Sequence, residues 1–171
     1  MKLLISLLVT VAFISCEMKV IPLKGKYTDG NFEAYSDKSK DVVWDNLIDF
    51  FAKRGISIKI IDRSSGLIIA GATRMPWSYE NSKGIIIHKD AWIVIRKVID
   101  PGSRKPIDPI SVSGEWNVRI KEMSGKTLIN VNLVNPEYSY SYQSRNTQTT
   151  FKPGAFQSTG NFEKMIYDQV K

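Results

Sequence analysis

Lys38–Gly71, KSKDVVWDNLIDFFAKRGISIKIIDRSSGLIIAG, holds the change of period from which the fold class follows. In its first half Trp44, Leu47, Ile48 and Phe51 recur at i, i+3, i+4 and i+7, which lines one face of a helix with apolar side chains. Ser36 or Asp37 can cap the start of that helix. Lys53 and Arg54 suit the negative end of the helix dipole, and Gly55 can take the left-handed conformation that stops it. The period then drops to two. Ile56, Ile58 and Ile60 alternate with Ser57 and Lys59, RSSG supplies a turn, and LIIAGATR (Leu67–Arg74) returns. That is the pattern of a β-hairpin.

The flanks extend the same pattern. Phe32–Ser36 reads as a strand before the helix. After the hairpin, MPWSYENSKG is a loop, and GIIIHKDAWIVIRKVI (Gly84–Ile99) supplies one long strand or two short ones. DPGSRKPIDP holds three prolines and reads as a loop. SVSGEWNVRIKEM and TLINVNLVNPEYSYSY are strands joined by a turn at Ser124-Gly125, and QSRNTQTTFKPGAFQ is loop. Ser158 can cap a last helix over Asn161–Val170, with Phe162, Met165, Ile166 and Tyr167 inward. Helix, meandering strands and helix, with short turns, predict an α+β fold. It is a two-layer sandwich whose antiparallel sheet carries both helices on one face. No internal repeat is visible.

The chain of 171 residues is 43% hydrophobic and 24% charged, which suits one packed domain. Its net charge of +7 comes from lysines and arginines scattered along the chain, a pattern that fits solubility. Met1 and Lys2 make a short positive start, and Leu3–Ile14 is broken only by Ser6 and Thr10. That run is too short to span a bilayer, which needs roughly 20 apolar residues, and it fits the core of a secretory signal. Small Ser15 precedes Cys16, the only cysteine of the chain. An unpaired cysteine in an exported protein is a reactive thiol unless it is modified. Residues 1–15 therefore read as a signal, 16–31 as a tether and 32–171 as one domain.

Chemistry-bearing residues are few. His88 is the one histidine, sits in an apolar pattern, and has no GxSxG-type elbow with it. One histidine without a free cysteine gives no zinc-ligand set. Asp37, Asp41, Asp45 and Asp49 are spaced by four and form an acidic row on the solvated side of the helix, screened by Lys38, Lys40 and Lys53. RSSG and MSGK are too short for a phosphate loop. No catalytic, cofactor-binding or metal-binding residue is assigned, and no cofactor is expected. No RNA-binding motif or zinc-finger spacing is present, so no nucleic-acid partner is expected. Tyr138, Tyr140 and Tyr142 alternate with serines and project to one side of a strand. They can pack under a helix or, with Trp77 and Tyr79, form an interaction surface for protein or glycan.

The amino end resembles a bacterial lipoprotein signal, and that resemblance makes Cys16 the lipid-attachment residue. Glu17, in place of the aspartate tied to inner-membrane retention, then implies the outer membrane, facing the periplasm. The stretches VWDNLIDFFAKRGI, IKIIDRSSGLIIAG and STGNFEKMIYDQV resemble small bacterial lipoproteins with a helix-grip or TATA-binding-protein-like sheet, such as the BamC-type lipoproteins. The resemblance implies a non-enzymatic, membrane-anchored component of the cell envelope that binds or scaffolds an envelope protein. The alternative is a lipoprotein that holds glycan or lipid on the aromatic surface.

Overall fold

The computed structural model describes residues 18–71, 73–100, 102–144, 147–151 and 156–171, and the side chains of residues 73, 142–144 and 147–151 lie outside that description. The elements run β1 (Lys19–Ile21), β2 (Asn31–Ser36), α1 (Lys40–Lys53), β3 (Ile58–Asp62), β4 (Leu67–Ala70), β5 (Thr73–Arg74), β6 (Trp77–Ser78) and β7 (Ile93–Val94). They continue with β8 (Lys97–Ile99), β9 (Pro106–Ile107), β10 (Ser111–Met123), β11 (Lys126–Ser144), β12 (Thr147–Phe151), β13 (Gln157–Ser158) and α2 (Asn161–Val170). The fold is α+β, with two helices and antiparallel sheets. The main sheet has the order β12-β11-β10-β4-β3, with β2 also on β11 and β5 on β10. Two small sheets run β1-β8-β9 and β13-β7-β6, and β6 pairs β7 in parallel.

The long β10–β11 hairpin is the spine. Ser124 and Gly125 both have positive φ, 52° and 78°, as a tight two-residue hairpin turn requires. Along β10 Val112, Trp116, Val118 and Ile120 are buried at every second position. Gly114 completes that row, and the Met75 side chain occupies the space its Cβ would need. The register slips by one residue between Ser113 and Glu115, where β11 carries the extra residue around Asn135-Pro136. That bulge changes the parity of β11. Before it Ile129 and Val131 are buried, and after it Tyr138 and Tyr140 are. Without the extra residue the two tyrosines would face the other side.

Helix α1 starts one turn later than Ser36 or Asp37 would start it. Ser39 is the cap, its hydroxyl accepting from Val42 N at 3.4 Å. Ser36 instead accepts from Lys38 N and donates to the Val170 carbonyl at the far end of α2. The helix stops as expected at Gly55, φ 64°. Gly55 N donates to Ala52 O and Ile56 N to Phe51 O, which closes the last turn in a Schellman arrangement. The buried face holds Val43, Trp44, Leu47, Phe50 and Phe51, and Ile48 packs at its margin.

At α2 the cap is Gly160, φ 84°, and Ser158 works two residues upstream. Its hydroxyl accepts from Gly160 N and donates to Glu163 Oε1 at 2.6 Å. Phe162, Ile166 and Val170 are fully buried. The Phe162 ring stacks on Trp116 of β10 at 4.3 Å and meets Trp92 at 4.7 Å and Phe50 of α1 at 6.0 Å. Phe162 thus touches α1 and the sheet at once, and Asn46 Nδ2 adds a bond from α1 to Gln169 O of α2 at 3.2 Å.

Several local expectations change. Of the two readings of Gly84–Ile99, the two short strands are found, as β7 and β8, with an isolated bridge at Ile86 before them. The LIIAGATR return is split into β4 and β5, both on β10. The stretches read as loops contain β6, β9 and β12. From Lys19 onward the expected tether is bound to the body. β1 pairs β8, Met18 and Val20 pack on the core, and Thr28 bridges Ser158. Cys16 and residues 1–15 lie outside the described residues.

Candidate functional site

Of the five aromatic residues singled out from the sequence, two go fully inward. Tyr138 and Tyr140 do share a side of β11, with ring centroids 5.7 Å apart in an edge-to-face pair. They are 1% and 0% exposed and belong to the core. Phe156 lies 6.0 Å from Tyr138. The side chain of Tyr142 lies outside the described residues, and its backbone pairs Thr149. Trp77 and Tyr79 are half-buried, with rings 5.1 Å apart. They are the accessible members of the set.

Two of the hydroxyls are committed to backbone, whereas that of Tyr138 is buried with no partner among the described residues. Tyr79 donates to Ile107 O at 2.8 Å and Tyr140 to Arg96 O at 3.0 Å. Burial pushes the Tyr79 phenol up to about 12, and Asp108 adds to it. Tyr140 is raised further, first by burial and then by Tyr79 beside it. Lys97 places its ammonium 5.6 Å from the Tyr79 ring centroid. At physiological pH both phenols are therefore held in the protonated form. The cluster ties the β8–β9 region to β11 by packing and hydrogen bonds.

The acidic row is exposed, and each member has a cation. Arg63 in the β3–β4 turn reaches Asp41 at 2.8 Å and Asp45 at 3.6 Å, Lys53 meets Asp49 at 3.4 Å, and Lys126 meets Asp37 at 2.9 Å. Arg63 was not foreseen, because its position beside α1 depends on the turn. In that turn Asp62 accepts from the Ser64 and Ser65 hydroxyls, which hold its carboxyl down near 2. His88 is exposed, and its backbone N donates to Ser78 Oγ at 2.9 Å. Among the described residues no three His, Cys, Asp or Glu side chains converge as metal ligands would. Among them also, no helix is long and apolar enough to cross a membrane.

Two surface features emerge that the sequence reading did not single out by residue. The first is the outer side of β3. Among the described residues this strand pairs only β4, and it is exposed along most of its length. Ile60 and Ile61 are 45% and 54% exposed although they are neighbours. Beyond a register shift between Ile58 and Ile60 they pair regularly with Ile69 and Ile68, so they leave opposite faces of a strand that pairs only β4 among the described residues. Lys59 turns over the sheet to Glu115 Oε1 at 3.0 Å.

The second is the turn between Tyr79 and Ile87. Asn81 N donates to Ile85 O and Ile87 N to Tyr79 O, which makes a small hairpin with Gly84 at its tip, φ 79°. Glu80 at its base is buried. Its carboxylate accepts from Lys24 N at 2.6 Å, Gly25 N at 3.0 Å and the Tyr27 hydroxyl at 3.1 Å. Gly25 and Gly84 press backbone to backbone, so close that a Cβ on Gly25 would lie 2.4 Å from Gly84 O. No local pattern marks Glu80, since its partners lie 53 to 56 residues away. No family model matches the chain, and no curated protein matches it.

Proposed function

We propose that this protein is a lipoprotein of the bacterial cell envelope. Cys16 carries its lipid, the domain faces the periplasm from the outer membrane, and it binds another envelope protein without catalysing a reaction. The observation that carries the protein-binding part is β3. An edge strand with free backbone groups and two exposed isoleucines can accept a strand from a partner. The aromatic residues that would form a glycan or lipid platform support the same choice, since Tyr138 and Tyr140 are in the core. The anchor rests on the layout of the amino end, where a short apolar run leads to a single cysteine. We read the architecture as a two-layer sandwich of the BamC-like kind with both helices on one face. The every-second burial along β10 and the Trp116–Phe162 stack support that reading.

The test is expression in a diderm bacterium of the wild type, Cys16→Ala and the pair Ile60→Lys/Ile61→Lys. Membranes are fractionated, and intact cells are crosslinked. The expected result is a membrane-bound wild type crosslinked to one stoichiometric envelope protein. The cysteine variant should leave the membrane, and the edge variant should keep it but lose the crosslink. A cysteine variant that fractionates like the wild type would remove the anchor. A wild type that is lipidated but crosslinks to nothing would turn the reading toward a glycan or lipid ligand.

A further inference from the structure

The Tyr79–Ile87 hairpin carries an apolar tip. Ile85 and Ile87 are 57% and 52% exposed, with Ile86 half-buried between them. Residues two apart in extended chain point to the same side, so these two isoleucines form one small apolar face. They are held there rigidly. Glu80 and the Gly25–Gly84 contact clamp the hairpin to the amino-terminal segment, and Lys24 Nζ adds a bond to Ser82 O at 3.1 Å.

The charges around that face have one dominant sign. Residues 18–31 and 79–90 carry exposed Lys19, Lys24, Lys26, Lys83 and Lys89, against exposed Asp29 and Asp90. Glu80 is buried and already bonded. Two of these lysines are fixed at the hairpin itself, Lys83 in its turn and Lys24 through its bond to Ser82 O. Exposed isoleucines flanked by Lys24 and Lys83 match the interface of a bilayer with anionic headgroups, where apolar side chains enter the acyl boundary and ammonium groups meet phosphate.

Chain length supports the same orientation. Cys16 precedes the first residue of β1 by three positions. Three residues of fully extended chain span at most about 11 Å. A lipid on Cys16 would hold the domain against the bilayer, with little room to swing. Ile21, the end of β1 farther from Cys16, and Ser82 of the hairpin border the same pocket, which puts the hairpin next to chain that is five residues from the lipid-bearing position.

We infer that the Tyr79–Ile87 hairpin is a second membrane contact, which seats Ile85 and Ile87 in an anionic bilayer surface and fixes the domain's orientation on it. This rests on the lipid anchor proposed above. The test uses the lipidated full chain in phosphatidylethanolamine–phosphatidylglycerol vesicles, with a nitroxide at Ser82→Cys or, as control, at Asp49→Cys on the exposed side of α1. Lipidation leaves Cys16 without a thiol, so each label is unique. The label at position 82 should lose access to an aqueous nickel chelate several-fold relative to position 49 and gain access to oxygen. Adding Ile85→Ser/Ile87→Ser should restore chelate access while the protein stays on the vesicles. Equal access at both positions in vesicle-bound protein would overturn the inference and leave the anchor standing. So would shielding of position 82 that occurs in native membranes but not in pure lipid, which would mean that a protein covers the tip. A wild type that fails to sediment with vesicles would instead remove the anchor itself.

Discussion

Glu163 stands in the first turn of α2, where a negative charge is favoured by the helix dipole, yet it is 1% exposed. One carboxylate oxygen accepts from Ser158, and the other has no partner among the described residues. Burial dominates and raises its pKa. The folded protein therefore holds the proton more tightly than the unfolded chain, where a glutamate titrates near about 4.3. Below that pH both states are protonated and stability is unaffected. As pH rises toward the folded-state value, stability is lost. Glu163→Gln has no such titration. Its urea midpoint relative to the wild type should rise between pH 4 and pH 8, whatever constant offset the amide introduces. A difference independent of pH would show that the carboxyl titrates alike in both states.

Among elements, the β-bulge in β11 decides most. One residue at Asn135-Pro136 sets which way every later side chain of that strand faces. Deleting Asn135 should send Tyr138 and Tyr140 to the polar side of the sheet and destabilise the protein by about 3 kcal/mol or more, since two buried rings lose their place. Ultraviolet titration checks it, because the wild-type phenols resist ionisation to high pH and the freed ones should ionise near 10. The same element marks the limit of what the sequence makes legible. Alternation along YSYSY shows that the tyrosines share a side. It cannot show which side, because parity is set by a bulge that needs the partner strand to define it. Helix α1 and its hairpin were readable because their signals are local: an apolar stripe, a glycine stop, a turn. Ser39 and Gly160 took over the capping roles expected elsewhere, since Ser36 and Ser158 are drawn into bonds with α2. The candidate surface was less legible still. Glu80 acts through partners 53 to 56 residues away, and the exposed isoleucines of GIIIH look like a buried strand until the hairpin turns them out.

For the whole molecule, Phe162 is the meeting point of α1, α2 and β10. Phe162→Ala should cost about 3–5 kcal/mol, the range for a large aromatic lost from a packed core. Thermal and urea unfolding measure it. A loss under about 1 kcal/mol would mean that the helices are held by contacts other than this ring. The surface ion pairs on α1 carry much less, since exposed pairs are each worth at most about 1 kcal/mol.

The ends of the described chain are sewn together. β2 pairs β11, Thr28 bridges Ser158, and Ser36 bonds to Val170. A chain that emerges amino end first therefore waits. Its first two strands have no sheet neighbours until β8 and then β11 have appeared, and the last stitch needs α2. Folding dominated by such distant pairings is slow, and its unpaired strands are open to aggregation meanwhile. An enzyme acting on Cys16 during that interval would meet loose chain beside it. Under the lipid anchor proposed above, modification of Cys16 would fall before closure, and the same window would suit a holding chaperone.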